Sequence, residues 1–249
     1  MRNVGGNYKK MRAFTIFMIL IFVFGCKHSD SGKKLATPKV QFHDSMIIPK
    51  DIITFTRKSE DTYWIPADTI TKNKSFVTYL KTKDSCCIDN LYINWGKDSV
   101  NRIFIAQNVL QFRTYFTPEL VAETKDYLIL EHGCATDCSA VLFLPLNNSE
   151  EPHDILDIIK YSKKNYTVIK ALENNSTENE HEFIEAVNVK TNKTKRIIFK
   201  NSGLAARLIF LVDSCNISDN EIYIRANLFD KQSDNDIVEE IRLENDIKK

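Results

Sequence analysis

The stretch Glu221–Leu228 (EIYIRANL) decides the fold class of this chain. Its even-numbered residues are apolar, and its odd-numbered residues are polar or aromatic. In an extended chain successive side chains point to opposite faces, so this period of two gives one apolar face and one polar face. The stretch therefore predicts a half-buried β-strand.

Similar strands recur in segments with one layout: strand, loop, strand, turn, strand. The three clear segments are Tyr127–His132, Ser139–Leu144 and Asp154–Ile159; Tyr166–Ala171, Glu182–Lys190 and Lys195–Phe199; and Leu208–Val212, Glu221–Leu228 and Asp236–Leu243. They start at residues 127, 166 and 208, close to the spacing of roughly 40–45 residues typical of propeller blades. A fainter copy has strands at Phe76–Leu80, Asn90–Trp95 and Asn101–Ile105, and Ile52–Phe55 with Thr62–Ile65 form a degenerate one.

These repeats predict an all-β domain over residues 39–249, an antiparallel meander that resembles a small or irregular β-propeller. A β-barrel or a sandwich is the alternative, because the same meander can close or stack in those ways. Thr117-Pro118-Glu119 suits the start of a short helix inserted between two repeats. The spacing of Ile237, Ile241 and Ile247 also fits one face of a helix.

The amino terminus has the layout of an export signal. Arg2, Lys9, Lys10 and Arg12 precede the apolar run 13–24, which is too short to span a hydrocarbon core that needs about 20 residues. Val23-Phe24-Gly25-Cys26 follows, and this segment resembles the lipobox of bacterial lipoprotein precursors. The resemblance implies a signal peptide at residues 1–25, acylation of Cys26 with chains such as palmitate, and a tether at residues 26–38.

Composition narrows the classes of function. The first 25 residues contain four basic and no acidic residues, so their removal changes the formal charge from +1 to −3. A slightly acidic domain has no electrostatic reason to bind nucleic acid. The chain also lacks phosphate-binding glycine loops, the nucleophile elbow G-x-S-x-G and the zinc helix H-E-x-x-H. We therefore expect no cofactor and no motif-based catalysis.

The remaining cysteines are candidates for disulfides, since an exported protein meets oxidising conditions. They are Cys86, Cys87, Cys134, Cys138 and Cys215, all expected in loops between the first and second strands of a repeat. Cys134 and Cys138 bracket a short turn and are expected to staple that hairpin. Cys86 or Cys87 would then pair with Cys215 across the domain, and one thiol would stay free because five is odd.

A metal site is the alternative interpretation of this segment. His132, Cys134 and Cys138 place one imidazole and two thiols within seven residues, and zinc sites use such ligands in sets of four. No fourth ligand is evident.

The sequence thus favours a lipid-anchored, non-catalytic binding domain of the bacterial cell envelope, with a protein or glycan as its partner. Lys27 after the acylated cysteine favours the outer membrane, by the sorting rule of some Gram-negative bacteria. An envelope hydrolase with catalytic residues on separate loops is the alternative, and metal binding is a third.

Overall fold

The computed structural model describes residues 51–55, 64–82, 90–107, 116–135, 138–172, 183–199, 211–230 and 235–248. They form strands and turns grouped into four antiparallel sheets, named A to D in chain order. This confirms the predicted all-β fold class and its antiparallel meander. The predicted signal peptide, tether and lipidation site Cys26, as well as Cys86 and Cys87, lie outside the described residues.

Sheets A and B come first in the chain. Sheet A contains β1 (Ile52–Thr54), β2 (Thr69–Ile70), β3 (Phe76–Thr82), β4 (Leu91–Lys97) and β5 (Val100–Ala106). Sheet B contains β6 (Glu119–Glu123), β7 (Tyr127–Ala135), β8 (Cys138–Pro145) and β9 (His153–Ile155). In both sheets, strands that follow one another in the chain lie side by side, except that β1 and β2 both pair with β3.

Sheets C and D continue the same meander. Sheet C contains β10 (Ile158–Tyr161), β11 (Thr167–Leu172), β12 (Phe183–Asn188) and β13 (Thr194–Ile197). Sheet D contains β14 (Val212–Ile217), β15 (Glu221–Asp230) and β16 (Asn235–Glu244). Glu221–Leu228, whose alternation predicts a strand, is the central strand of sheet D.

Extra residues interrupt the first strand of every sheet. The pairing register shifts between Leu120 and Ala122 in sheet B, between Ile158 and Lys160 in sheet C, and between Val212 and Ser214 in sheet D. In sheet A the fourteen residues 55–68 separate β1 from β2, although both strands pair with β3. The four sheets therefore share one plan, in which the first strand is bulged or divided.

The sheets pack face to face in the order in which they occur in the chain. On β7, Leu128 and Leu130 belong to the apolar cluster shared with sheet A, whereas Tyr127 and Ile129 belong to the cluster shared with sheet C. A third cluster joins sheets C and D. Sheets B and C thus each pack on both faces, and the side chains of Tyr127–Leu130 and Val141–Leu144 in sheet B are fully buried. Burying one large apolar side chain contributes about 1.5–3 kcal/mol.

Short turns line one end of the sheets, which we name the hairpin rim. It consists of residues 71–75, 97–100, 124–126, 146–152, 162–166, 189–193, 218–220 and 245–248. Hydrogen bonds join successive sheets along the rim: Asn73 Nδ2 to Glu123 at the end of β6 at 3.0 Å, Lys190 Nζ to Asp126 at 2.7 Å, and Asn165 Nδ2 to the Ser218 carbonyl at 3.1 Å. The rim is therefore one continuous surface.

The structure corrects the predicted length of the repeat. Sheets B and C have four strands each rather than three, and the predicted strand Asp154–Ile159 is divided between β9 and β10. Asp157 has a φ of 56°, in the left-handed region, where the chain passes from sheet B to sheet C. Aspartate tolerates this conformation better than most residues because its short polar side chain can bond locally.

Three further predictions were wrong. Glu119–Glu123 is strand β6 rather than part of a short helix, because pairing with β7 outweighs the local capping pattern. The residues from 235 to 244 form β16, so the helical spacing of the isoleucines does not apply. Cys215 lies within β14 and not in a loop.

Candidate functional site

A cleft of about 680 Å³ lies beside the first strands of sheets B and C. Its apolar lining is formed by Gly133, Ala140, Ile158 and Ile159, and Ile159 is the bulged residue of β10. Bulges are frequent next to functional sites because they redirect side chains. The register shift in β10 therefore helps to shape this cleft.

Polar side chains complete the lining of the cleft. They are Thr117, Glu119, Glu131, His132, Ser139, Lys160, Tyr161 and Lys163. The lining thus includes two carboxylates and two ammonium groups. This mixture of negative and positive charge suits a ligand with hydrogen-bond donors and acceptors rather than a purely apolar ligand.

Tyr161 and Glu131 join the two sides of the cleft. The Tyr161 hydroxyl donates a hydrogen bond to the Glu131 carboxylate. Burial and this carboxylate raise the pKa of Tyr161, so the phenol stays protonated as a donor. The Lys163 ammonium lies 6.0 Å from the centre of the Tyr161 ring. The ring is thus fixed at its hydroxyl end.

Glu119 and Glu131 are direct cross-strand partners in the β6–β7 register. Directly opposed side chains lie about 4.5–5.5 Å apart at Cβ, and like charges in that arrangement are destabilising. Both glutamates are exposed at the cleft, which lowers the repulsion through solvent screening. The pair presents four carboxylate oxygens to any ligand there.

His132 lies next to Glu131 and is held by two acceptors. Its Nδ1 lies 2.7 Å from the Gly133 carbonyl oxygen, and its Nε2 lies 2.8 Å from Asp154 Oδ1. A carbonyl oxygen only accepts, so Nδ1 carries a proton, and Nε2 donates to the carboxylate. Burial lowers the pKa of His132, but the hydrogen bond and charge of Asp154 outweigh burial and raise that pKa. The two acceptors therefore favour the imidazolium form of His132, with both N–H groups occupied.

The register explains how His132 reaches Asp154. His132 pairs with Ala140 across β7 and β8, and Asp154 follows on β9 opposite Leu142. The small side chain of Ala140 leaves room for the imidazole to extend over β8. No short-range spacing in the sequence indicates this pair, since the two residues are 22 positions apart.

Cys134 and Cys138 form a disulfide that closes the β7–β8 hairpin, with 5.2 Å between their Cα atoms. This is the pairing predicted from the spacing of the two cysteines. Asp157 lies beside it, with its carboxylate and the two sulfur atoms within 4.8 Å of one another. Asp157 is thus the described acidic residue beside the two cysteines. The His132 ring is engaged elsewhere, with Gly133 and Asp154. A metal set of His132, Cys134 and Cys138 would require both reduction of the disulfide and rotation of the histidine.

Cys215 packs half-buried against the apolar cluster between sheets C and D. Burial raises the pKa of its thiol to about 11, which leaves it protonated and weakly nucleophilic at neutral pH. Among the described cysteines it has no disulfide partner. Whether it pairs with Cys86 or Cys87 falls outside the described residues.

Of the residues that line the cleft, the sequence singled out His132, as part of the alternative metal set. The other polar lining residues were not singled out. A signal existed for Glu131, because the alternation of YLILEH puts it on the same face as the buried residues Tyr127 and Ile129. A charged residue at a core-facing position is unusual and points to a special environment. Glu119, Lys160, Tyr161 and Lys163 gave no such signal, because β6 and β10 are short and irregular.

No protein-family model, curated protein or solved structure matches this chain. In the part of the chain that the structure describes, no helix is long and apolar enough to cross a membrane.

Proposed function

We propose that this protein is a lipid-anchored component of the bacterial cell envelope that binds a glycan or protein ligand in the cleft beside sheets B and C. The observation that carries the proposal is a lining that combines apolar residues with side chains of both charges, built on two packed sheets. Pockets that orient a polar ligand have this composition.

The side chains near the cleft favour binding over catalysis. A general base needs a free lone pair within reach of its substrate, and both nitrogens of His132 are occupied. The thiols of Cys134 and Cys138 are consumed in the disulfide. Tyr161 donates its one O–H to Glu131, so it offers a ligand its ring face as a fixed stacking surface and its hydroxyl oxygen as an acceptor. Such groups recognise a ligand without transforming it.

The proposed architecture is a propeller-like array whose blades are sheets A to D. Meander sheets packed face to face in chain order support it. The outer face of sheet D, which includes Arg225, Asn227, Glu240 and Arg242, is polar and exposed. Sheet D therefore ends the stack as a polar cap would end a repeat array.

The cleft is tested by binding of the full chain to an array of glycans and peptides. Tyr161→Ala removes the ring and hydroxyl, and we expect it to lose the signal that the wild-type protein gives. Tyr223→Ala is the matched control, because Tyr223 lies on the outer face of sheet D and contacts Arg242. Equal binding by all three proteins would show that the cleft is not the site.

The anchor is tested by the intact mass of the membrane-extracted protein before and after reduction. We expect a mature terminus at Cys26 with acyl chains, and a mass increase of two hydrogens for each disulfide reduced. An unprocessed, unmodified amino terminus would contradict the proposed localisation in the cell envelope.

An envelope hydrolase is the second candidate, and the opposed pair Glu119 and Glu131 favours it. Glycosidases use two carboxylates about 5–9.5 Å apart. Turnover of a bound glycan that stops in both Glu119→Gln and Glu131→Gln would support hydrolysis, whereas binding without turnover would support the first proposal.

A further inference from the structure

The hairpin rim is rich in lysine. It contains nine lysines and six carboxylates: Lys72, Lys74, Lys97, Lys125, Lys163, Lys164, Lys190, Lys193 and Lys248, against Asp98, Asp126, Glu150, Glu151, Asp219 and Asp246. The chain without its first 25 residues has a formal charge of −3. The rim turns therefore carry an excess of lysine, and Glu123, Glu221 and Glu244 stand at the adjoining strand ends.

Most of the rim carboxylates already have partners. Asp126 pairs with Lys190, Asp219 pairs with Lys164, and Asp246 pairs with Lys195. Glu151 pairs with Arg102, and Glu150 accepts a hydrogen bond from the hydroxyl of Tyr127. The acidic groups are thus largely neutralised by groups within the domain.

Three lysines on the rim remain for an external partner. Lys72, Lys74 and Lys125 are exposed, and none of them forms an ion pair with a described residue. They lie on the first turns of sheets A and B, which Asn73 and Glu123 join by a hydrogen bond at 3.0 Å. The three ammonium groups therefore belong to one fixed surface rather than to independent loops.

We propose that the hairpin rim docks on the anionic surface of the membrane to which the protein is tethered. This inference rests on the lipid anchor of the proposed function. Lysines close to a layer of anionic lipids each strengthen attachment about fivefold, and the attraction acts within a Debye length of about 10 Å. An extended surface of acidic headgroups suits lysines spread over several turns better than a compact ligand does.

The chain outside the described sheets is long enough for this orientation. Residues 27–51 lie between the predicted acylation site and β1, and 25 residues span at most roughly 85 Å. Strands of seven to ten residues are only about 23–34 Å long. The stretch 27–51 can therefore reach from either end of the sheets to the membrane.

The test is lysine acylation of the full, lipid-bearing chain reconstituted in vesicles, followed by mass spectrometry. One set of vesicles contains phosphatidylcholine alone, and the other contains equal parts of phosphatidylcholine and phosphatidylglycerol. A membrane-impermeant reagent reports Lys72, Lys74 and Lys125, with Lys81 and Lys170 as controls farther from the rim. We expect the rim lysines to react about fivefold more slowly in anionic vesicles, the controls to be unchanged, and 1 M salt to restore the rate.

A matched pair of variants adds a second readout. Lys72→Gln with Lys125→Gln should abolish the protection of Lys74, whereas Lys81→Gln with Lys170→Gln should preserve it. Circular dichroism checks that both variants are folded.

Other outcomes would overturn the inference in distinguishable ways. A protein that does not float with neutral vesicles lacks the anchor, so the proposed function fails together with the docking. A protein that floats but shows equal rim reactivity in both vesicle types is anchored without docking. Protection by a soluble acidic polysaccharide, without protection by anionic vesicles, would assign the rim to that polymer instead.

Discussion

The charged form of His132 is favoured because both of its ring nitrogens meet oxygen acceptors in a nearly buried position. Its pKa is raised above the ordinary value of 6.5, so the folded chain binds this proton more tightly than the unfolded chain does. The resulting stabilisation is complete below pH 6.5 and is lost as the pH rises through the raised pKa. The histidine thus couples the end of β7 to β9 in a pH-dependent way.

We expect His132→Gln to lower the free energy of unfolding by about 1.5–3 kcal/mol near pH 6, the usual contribution of a hydrogen bond to a charged group. The deficit should shrink as the pH rises through the raised pKa of His132, because the wild-type protein then loses its own stabilisation. Urea unfolding measured at several pH values checks this. A deficit that stays constant with pH would show that the ring acts only through packing.

His153→Gln is the control with the opposite sign. Burial lowers the pKa of His153, although the charges of Glu150 and Glu151 partly raise it. A histidine with a lowered pKa contributes stability above its unfolded pKa and loses it as the pH falls. In a plot of the free energy of unfolding against pH, this variant should therefore differ from the wild-type protein at acid pH and match it at alkaline pH.

Strand β6 shows how one short element contains opposite electrostatic environments. Glu119, at its start, faces the like charge of Glu131. Glu123, at its end, accepts hydrogen bonds from Ser75 Oγ at 2.6 Å and Asn73 Nδ2 at 3.0 Å. Burial would raise the pKa of Glu123, but hydrogen bonds from Ser75, Thr71 and Asn73 lower it.

We expect Glu119→Gln to stabilise the protein by about 0.2–1 kcal/mol, since it removes a like-charge pair. Glu123→Gln on the same strand should destabilise it by about 1–2 kcal/mol, since a charge-assisted acceptor is lost and Ser75 is fully buried. Thermal unfolding at neutral pH compares the two variants. Changes of the same sign would contradict the contrast drawn from the register.

The disulfide affects a single hairpin. Its loop closes only five residues, so its loss should lower the free energy of unfolding by about 2 kcal/mol in the chain-entropy model. The double variant Cys134→Ser, Cys138→Ser should show this loss and should no longer respond to reductant at this hairpin. Cys215→Ser keeps the disulfide and serves as the comparison. An unchanged midpoint of unfolding in the double variant would show that the pairing of β7 with β8 does not depend on the disulfide.

The sequence predicted the strands with strong alternation, and their neighbours less well. β7, β8, β11 and β15 lie where the pattern places them because they are buried and apolar on at least one face. The first strands β6 and β10 were missed or misassigned because they are short, half-exposed and bulged, which breaks the period of two. The third repeat was consequently placed one strand out of phase, since β14 corresponds to β6 and β10.

The candidate site was harder to predict than the fold because it is built from these irregular strands. The disulfide was predicted correctly, since four positions in a turn leave few alternatives for two cysteines. The partnership of His132 with Asp154 depends on a register two strands wide, and the cleft depends on how two sheets pack. Neither leaves a local pattern in one sequence.

At the scale of the whole molecule, the order of the sheets predicts a gradient of local stability. Sheet B is covered on both faces, whereas sheet D exposes its outer face. Amides deep in packed sheets open only with large-scale unfolding. We expect hydrogen exchange to be slowest in β7 and β8 and faster along β16. Mass spectrometry of the exchanged full chain measures this, and uniform protection across the four sheets would contradict it.

The divided first strand of sheet A also has a practical use. In sheet A, fourteen residues separate β1 from β2, and both of these segments pair with β3. Sheets B and C each have one extra residue at the same position of the first strand. This position in the repeat therefore accepts added sequence without loss of pairing. An epitope or fluorophore-binding peptide grafted next to Val121 or Ile159 would use the same tolerance. The bulged positions of the repeat are therefore suitable sites for a reporter, and a reporter at Ile159 would lie at the cleft.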